Sequence, residues 1–194
     1  HMPTRAEAGL PDDAFVFCCF NAAHKITRFS FERWMEIMRQ TPQSVLWLLD
    51  YSSETNNRIR AAAAERGVAA DRIFFAKKIA NAHHLARYPL ADLFLDTIPY
   101  GAHTTASDAL WMGVPVLTLP GRSFASRVCS SLVRSAGAPE LICDTPEHFV
   151  SRAVELATTD RLSLASIRER IIAGRDTCTL FDIEGLTRNL ERLY

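Results

Sequence analysis

Short apolar runs separated by amphipathic stretches set the pattern of this chain. The runs cover residues 15–20 (FVFCCF), 45–49, 73–75, 93–95 and 116–119, with a weaker one at 141–142. They are nearly continuous rather than alternating, as in strands buried on both faces of a parallel sheet. Between them the period changes. Phe31, Trp34, Met35 and Met38 stand at i, i+3, i+4 and i+7, one face of a helix. Further helices are predicted over 61–66 before Gly67, 80–88 before Pro89, 103–112 before Gly113, and 125–135 before Gly137. After Cys143 the strands stop. The run Asp144-Thr-Pro-Glu147 predicts a helix start, with Pro near its first position and Glu147 completing a capping box. That helix reaches about residue 158. A second follows over 161–173, and Leu186, Leu190 and Leu193 mark a last amphipathic one.

Alternation of strand and helix predicts an α/β fold with a doubly wound, Rossmann-like parallel sheet and a helical C-terminal tail. Residues 1–14 are expected to be a tag remnant and linker, since His1-Met2 resembles the scar of a cleaved expression tag. Residues 15–143 form the α/β core, and 144–194 are the C-terminal helices of the same domain. Ligands bind such sheets beyond the carboxyl ends of the strands, near the switch point. The loops after Phe20, Leu49, Phe75, Leu95 and Leu119 are therefore the places for chemistry.

Composition narrows the class. The 194 residues are 48% hydrophobic and 23% charged, which fits a globular domain able to bury its own core. Lys+Arg and Asp+Glu are both 22, so no basic excess points to nucleic acid. No apolar run reaches the length of a membrane helix. The cysteines are Cys18, Cys19, Cys129, Cys143 and Cys178. Their number is odd, and no CxxC or zinc spacing is present. They read as apolar residues of a reducing compartment, and a cytoplasmic location is expected.

No GxGxxG or GxxxxGK[ST] run is present. The loop Asp96-Thr-Ile-Pro-Tyr-Gly-Ala-His-Thr-Thr105 instead leads from a buried strand into a helix. A helix start carries unpaired N–H groups and partial positive charge, met either by a cap or by an anion. Thr104 and Thr105 serve both readings: as plain caps, or as hydroxyl donors to a phosphate. Gly101 and Ala102 would let a ligand approach the backbone. Asp108 shares a helical face with Thr104 and Thr105, which suits sugar hydroxyls better than a phosphate. Lys25 after the first run is either a surface lysine or a phosphate contact. His84 and Arg87, three apart, read as a solvated face or a second ligand group. The histidines lack metal-site spacing, so no metal is expected. The run 121–127 is a further small-residue loop, either at the ligand or a turn into a helix.

Taken in order, FN-x-x-x-K at Phe20, Asn21 and Lys25, VLWLL at 45–49, LDT at 95–97, HTT-x-x-D-x-L-W-x-G-x-P at 103–115, and ASR at 125–127 resemble the O-linked N-acetylglucosamine transferase family. The resemblance covers about residues 15–194 and implies the second lobe of a two-lobed GT-B glycosyltransferase. Such enzymes transfer N-acetylglucosamine from UDP-N-acetylglucosamine to Ser or Thr of proteins, with inversion and without a required metal or cofactor. It implies that a preceding lobe and tetratricopeptide repeats, which bind the protein acceptor, lie outside this chain. The lobe alone is then expected to be inactive. By position, Lys25 would neutralise the leaving UDP and act as the catalytic group. Thr104 and Thr105 would hold the β-phosphate, His103 would lie near the sugar, and Asp108 would bind ribose. His84 would lie against uracil, with Arg87 near its edge. Ala22 and Asn81 depart from the family pattern, which commonly has Gln and Lys there. Rival readings are a related transferase with another sugar or an Asn acceptor, and a non-catalytic interaction domain. Leu186, Leu190 and Leu193 also suit self-association.

Overall fold

The computed structural model describes residues 2–194 and is built on one five-stranded sheet. Its strands are β1 (Phe15–Cys19), β2 (Ser44–Leu49), β3 (Ile73–Ala76), β4 (Leu93–Leu95) and β5 (Val116–Leu117). The order is β3-β2-β1-β4-β5, and all neighbours are parallel. Central β1 is buried along its whole length, with Cys18 in register with Trp47 on one side and Phe94 on the other. A strand in that position needs apolar side chains on both faces, which explains its unbroken FVFCC. The chain winds from β1 outward to β3, then returns to the other flank of β1 for β4 and β5. The switch point therefore lies between the ends of β1 and β4.

Two runs deliver less strand than expected. β5 stops at Leu117, ahead of Pro120, and residues 141–142 contribute only the single parallel bridge of Ile142 to Thr118. The 3-10 turn Pro139–Leu141 leaves too little extended chain there for a sixth strand.

The helices are α1 (Arg28–Gln40), α2 (Ser53–Glu65), α3 (Asn81–Arg87), α4 (Thr104–Trp111), α5 (Phe124–Ser135), α6 (Pro146–Thr158), α7 (Arg161–Gly174) and α8 (Ile183–Glu191). The face of α1 marked by Trp34, Met35 and Met38 is fully buried, and α1 packs on α6. Leu164, Ile167 and Ile171 bury α7. Arg168 on α7 donates to the carbonyls of Pro89, Ala91 and Gly113, tying it to the ends of α3 and α4. Gly113 stops α4 at φ +77°, where a Cβ would fall 2.5 Å from Ile172. None of the described helices is long and apolar enough to cross a membrane.

Two local expectations are corrected. Helix α6 is capped by Thr145, whose hydroxyl accepts from the His148 amide, with Pro146 first in the helix. Glu147 falls one position short of the reciprocal contact, so no capping box forms. The segment before β1 is packed rather than a loose linker. Arg5 pairs with Asp92 at 2.8 Å and donates to the carbonyls of Leu90, Asp12 and Ala14, while Leu10 is buried.

Candidate functional site

Helix starts divide this molecule in two. The first turns of α1, α2, α5 and α6 are satisfied by their own Thr27, Ser52, Ser123 and Thr145. Those of α3, α4 and α7 have no side-chain cap, and of these α3 and α4 follow β3 and β4. For α4 this settles the capping alternative. Its N-cap is His103, whose ring turns away to the Ala125 carbonyl at 3.2 Å, and neither Thr104 nor Thr105 caps it. The Thr104 and Thr105 amides are left without a partner among the described residues, while the Ala106 and Ser107 amides bond the His103 carbonyl.

A buried network fixes where this helix points. Asp96, 1% exposed at the end of β4, accepts from the amides of Thr97 at 2.7 Å and Ala102 at 2.6 Å and from the Thr118 hydroxyl at 2.7 Å. Burial still pushes its carboxyl above the usual range. Asn21, at the end of β1, donates to Thr97 Oγ1 at 2.7 Å and accepts from Thr105 Oγ1. Thr97 in turn donates to the Tyr100 carbonyl at 2.7 Å. Gly101 serves this packing rather than ligand approach. A Cβ there would stand 3.2 Å from Asp96 Oδ2 and 3.3 Å from the Ala125 carbonyl, and both Gly101 and Ala102 are buried. The run 121–127 turns into α5 and supplies that buttressing carbonyl.

The cleft above the network has a volume of about 480 Å³ and reaches from Phe20 and Asn21 to Thr104 and Thr105. Lys25 is half-buried on its wall. Its Nζ donates to the Gly101 carbonyl at 3.0 Å and lies 4.0 Å from the centre of the Tyr100 ring, which stacks on His103. Burial lowers the affinity of this ammonium for its proton, opposed by the field of Asp96. Lys78 adds a second cation to the lining, and no carboxylate lines the cleft. Such a cleft suits an anion with several oxygens.

On α3, His84 packs its ring against Phe20 and Tyr88, while neighbouring His83 is exposed. Arg87 is buried, bonded to the Lys77 carbonyl at 2.6 Å and to His84 Nδ1. It therefore backs His84, and it also lines a separate cavity of about 540 Å³ with Trp47 and Lys77. Burial, then the Arg87 charge, push the His84 imidazole down to about 4. Asp108 lies outside the lining of the cleft, on the Tyr88 side of α4. It is half-buried, its carboxyl is raised by burial, and that carboxyl has no hydrogen-bond or ion-pair partner among the described residues. A half-buried carboxylate without a protein donor is open to water or to a hydroxyl-bearing ligand.

The structure thus gathers Lys25, His103, Thr104 and Thr105 in one cleft; His84 and Asp108 lie outside its lining, His84 against the lining residue Phe20. Ala22 also lines the cleft, and Asn81 is exposed at the start of α3. Sequence reasoning missed Tyr51, whose hydroxyl donates to the Asn21 carbonyl at 2.6 Å, and Lys78, Tyr100 and the anchor Asp96. Tyr51 follows β2 at a strand end where ligands are expected, which is the signal that could have found it. Among the described residues no group of three or more His, Cys, Asp or Glu is placed to hold a metal ion.

Comparison with known proteins bears on this geometry. The UDP-N-acetylglucosamine–peptide N-acetylglucosaminyltransferase of Caenorhabditis elegans is 40% identical over 192 residues, 99% of this chain and 17% of that protein. An Arabidopsis thaliana relative, "Probable UDP-N-acetylglucosamine–peptide N-acetylglucosaminyltransferase SEC", is 38% identical over 193 residues, 99% of this chain and 20% of that protein. The chain therefore spans a fifth or less of the length of these relatives. A solved mutant O-GlcNAc transferase of Thermobaculum terrenum superposes with a TM-score of 0.89 at 35% identity, covering 94% of this chain and 36% of that one. The parallel sheet with its helical tail is thus that of a GT-B catalytic lobe. The model for glycosyl transferase family 41 matches residues 1–190, and the chain belongs to that family.

Proposed function

We propose that this chain is the donor-binding lobe of an inverting, metal-independent transferase that moves N-acetylglucosamine from UDP-N-acetylglucosamine to Ser and Thr hydroxyls of proteins. The observation that carries this reading is the uncapped start of α4 beside Lys25, in a cleft lined by cations and no carboxylate. The diphosphate lies at that helix tip, on Thr104 and Thr105, with the sugar toward His103. Ribose hydroxyls donate to Asp108, and the base lies against His84. As the sugar–phosphate bond breaks, negative charge builds on UDP. Lys25 and the α4 amides, already fixed by Asn21 and Asp96, stabilise that charge more than the ground state. Lys78 supplies a further positive charge in the cleft, whose lining departs from the family pattern at Ala22.

Acceptor binding is assigned to a preceding lobe and tetratricopeptide repeats, as the family resemblance implies. The 194-residue chain is expected to bind UDP and to transfer almost nothing by itself. Calorimetry with UDP, UDP-N-acetylglucosamine and UDP-glucose tests the reading. Binding of UDP and of its N-acetylglucosamine ester supports it. Preference for UDP-glucose would point to a transferase of another sugar, and no binding of UDP would overturn the donor site.

A further inference from the structure

The contact between Arg87 and His84 fixes a chemical state. A guanidinium only donates, so the Nδ1 atom that Arg87 Nη2 meets must be an unprotonated acceptor. The proton of the neutral ring then sits on Nε2. Arg87 has little freedom to leave. It is 5% exposed, its Nη1 is held by the Lys77 carbonyl at 2.6 Å, and its charge lies over the Phe20 and Trp47 rings at 5.2 and 5.9 Å. The groups that face the imidazole are Phe20, after β1, and Arg87 and Tyr88, at the end of α3. No carboxylate pairs with it among the described residues. Protonation of His84 would set an imidazolium against a guanidinium on a half-buried site.

We propose that Arg87 is a positioning residue that locks His84 as the neutral Nε2–H tautomer, so that the ring offers the donor's nucleobase an uncharged face and one fixed hydrogen-bond donor. The nucleobase part rests on the donor-binding reading; the tautomer does not. Burial and Arg87 together account for an imidazole that stays neutral down to about 4. Without the lock, burial would still lower the imidazole, but nothing would fix which nitrogen of the neutral ring holds the proton.

Long-range proton–nitrogen spectra of the 15N-labelled chain read the tautomer directly. The expected result is an Nε2–H pattern for His84, with no titration until the pH falls to about 4. An Nδ1–H pattern, an even mixture, or a midpoint near 6.5 in the unaltered chain would overturn the proposal. Arg87→Gln removes the charge and can either donate or accept, so the tautomer should no longer be held single while the midpoint rises from about 4. Arg87→Lys keeps the charge and should hold the midpoint low. A midpoint unmoved in Arg87→Gln would sink the role of Arg87, and the unaltered chain decides the tautomer even if that variant does not fold. Added UDP should shift the His84 Nε2 signal. UDP that binds without moving it removes the nucleobase contact; UDP that does not bind removes the donor reading and leaves the tautomer result standing.

Discussion

Thr105 donates its hydroxyl to the side-chain oxygen of Asn21, joining the start of α4 to the end of β1 across the switch point. The same Asn21 donates to Thr97, so one amide aligns both loops of the site. Asn21→Ala should leave the buried Thr97 hydroxyl and the half-buried Thr105 hydroxyl short of a partner and cost about 1–3 kcal/mol of stability. It should also weaken UDP binding, because the tip of α4 loses its anchor. Thermal unfolding and calorimetry on the same sample check both. Full stability with weakened binding would place Asn21 at the ligand instead of beneath it.

Lys25 is the converse case. Among the described residues its ammonium donates one hydrogen bond, to the Gly101 carbonyl, and it is half-buried on the cleft wall. Lys25→Ala should change stability by no more than about 0.5 kcal/mol. UDP affinity should fall about ten- to a hundredfold, the range of a charge-assisted contact of about 1.5–3 kcal/mol. The unaltered chain should lose UDP affinity with added salt more steeply than the variant does. Equal affinity in the two proteins would remove Lys25 from the donor site.

Asp108 should show opposite effects on folding and binding. Burial holds its carboxyl above the ordinary value of 3.8, so the folded state keeps the proton more tightly than the unfolded state does. Its contribution to stability therefore falls as pH rises from 3.8 through the raised value, and at neutral pH the ionised group is a net burden. Asp108→Asn should match or exceed the melting temperature of the unaltered chain at pH 7, yet bind UDP about tenfold more weakly through loss of a charged acceptor for ribose. A variant that melts lower would reveal a structural partner for this carboxylate.

The physics of each element decided how much was legible in advance. Strands β1, β2 and β4 were readable because central parallel strands must be apolar on both faces, and the spacing of Trp34, Met35 and Met38 left no other period for α1. The end of β5 was not readable, since the two-residue pairing of Val116 and Leu117 depends on partners distant in sequence. At the site, the position of HTT after a buried strand pointed to α4, but not to whether its threonines cap the helix. That depends on Asn21, which captures Thr105 from a strand 84 residues away. The inward turn of Arg87 was hidden for the same reason. Its acceptor is the Lys77 carbonyl, and a backbone group carries no signature in the side-chain sequence.

The last helix should be separable from the donor site. Ile183, Leu186, Leu190 and Leu193 are 75%, 60%, 48% and 81% exposed, and α8 has no buried residue. The chain is held to the body before α8 begins, where Phe181 packs edge-on to Trp111 with ring centres 4.9 Å apart. A chain ending after Asp182 should therefore keep its melting temperature and its affinity for UDP. Exposed leucines at helical spacing favour association between copies, since burying each one removes apolar area from water at about 25 cal/mol per Å². The full chain should accordingly sediment faster as its concentration rises, and Leu186→Glu with Leu190→Glu should abolish that dependence without loss of stability. A shortened chain that unfolds early would show that α8 closes the core, and unaltered sedimentation in the double variant would exclude this face as the contact.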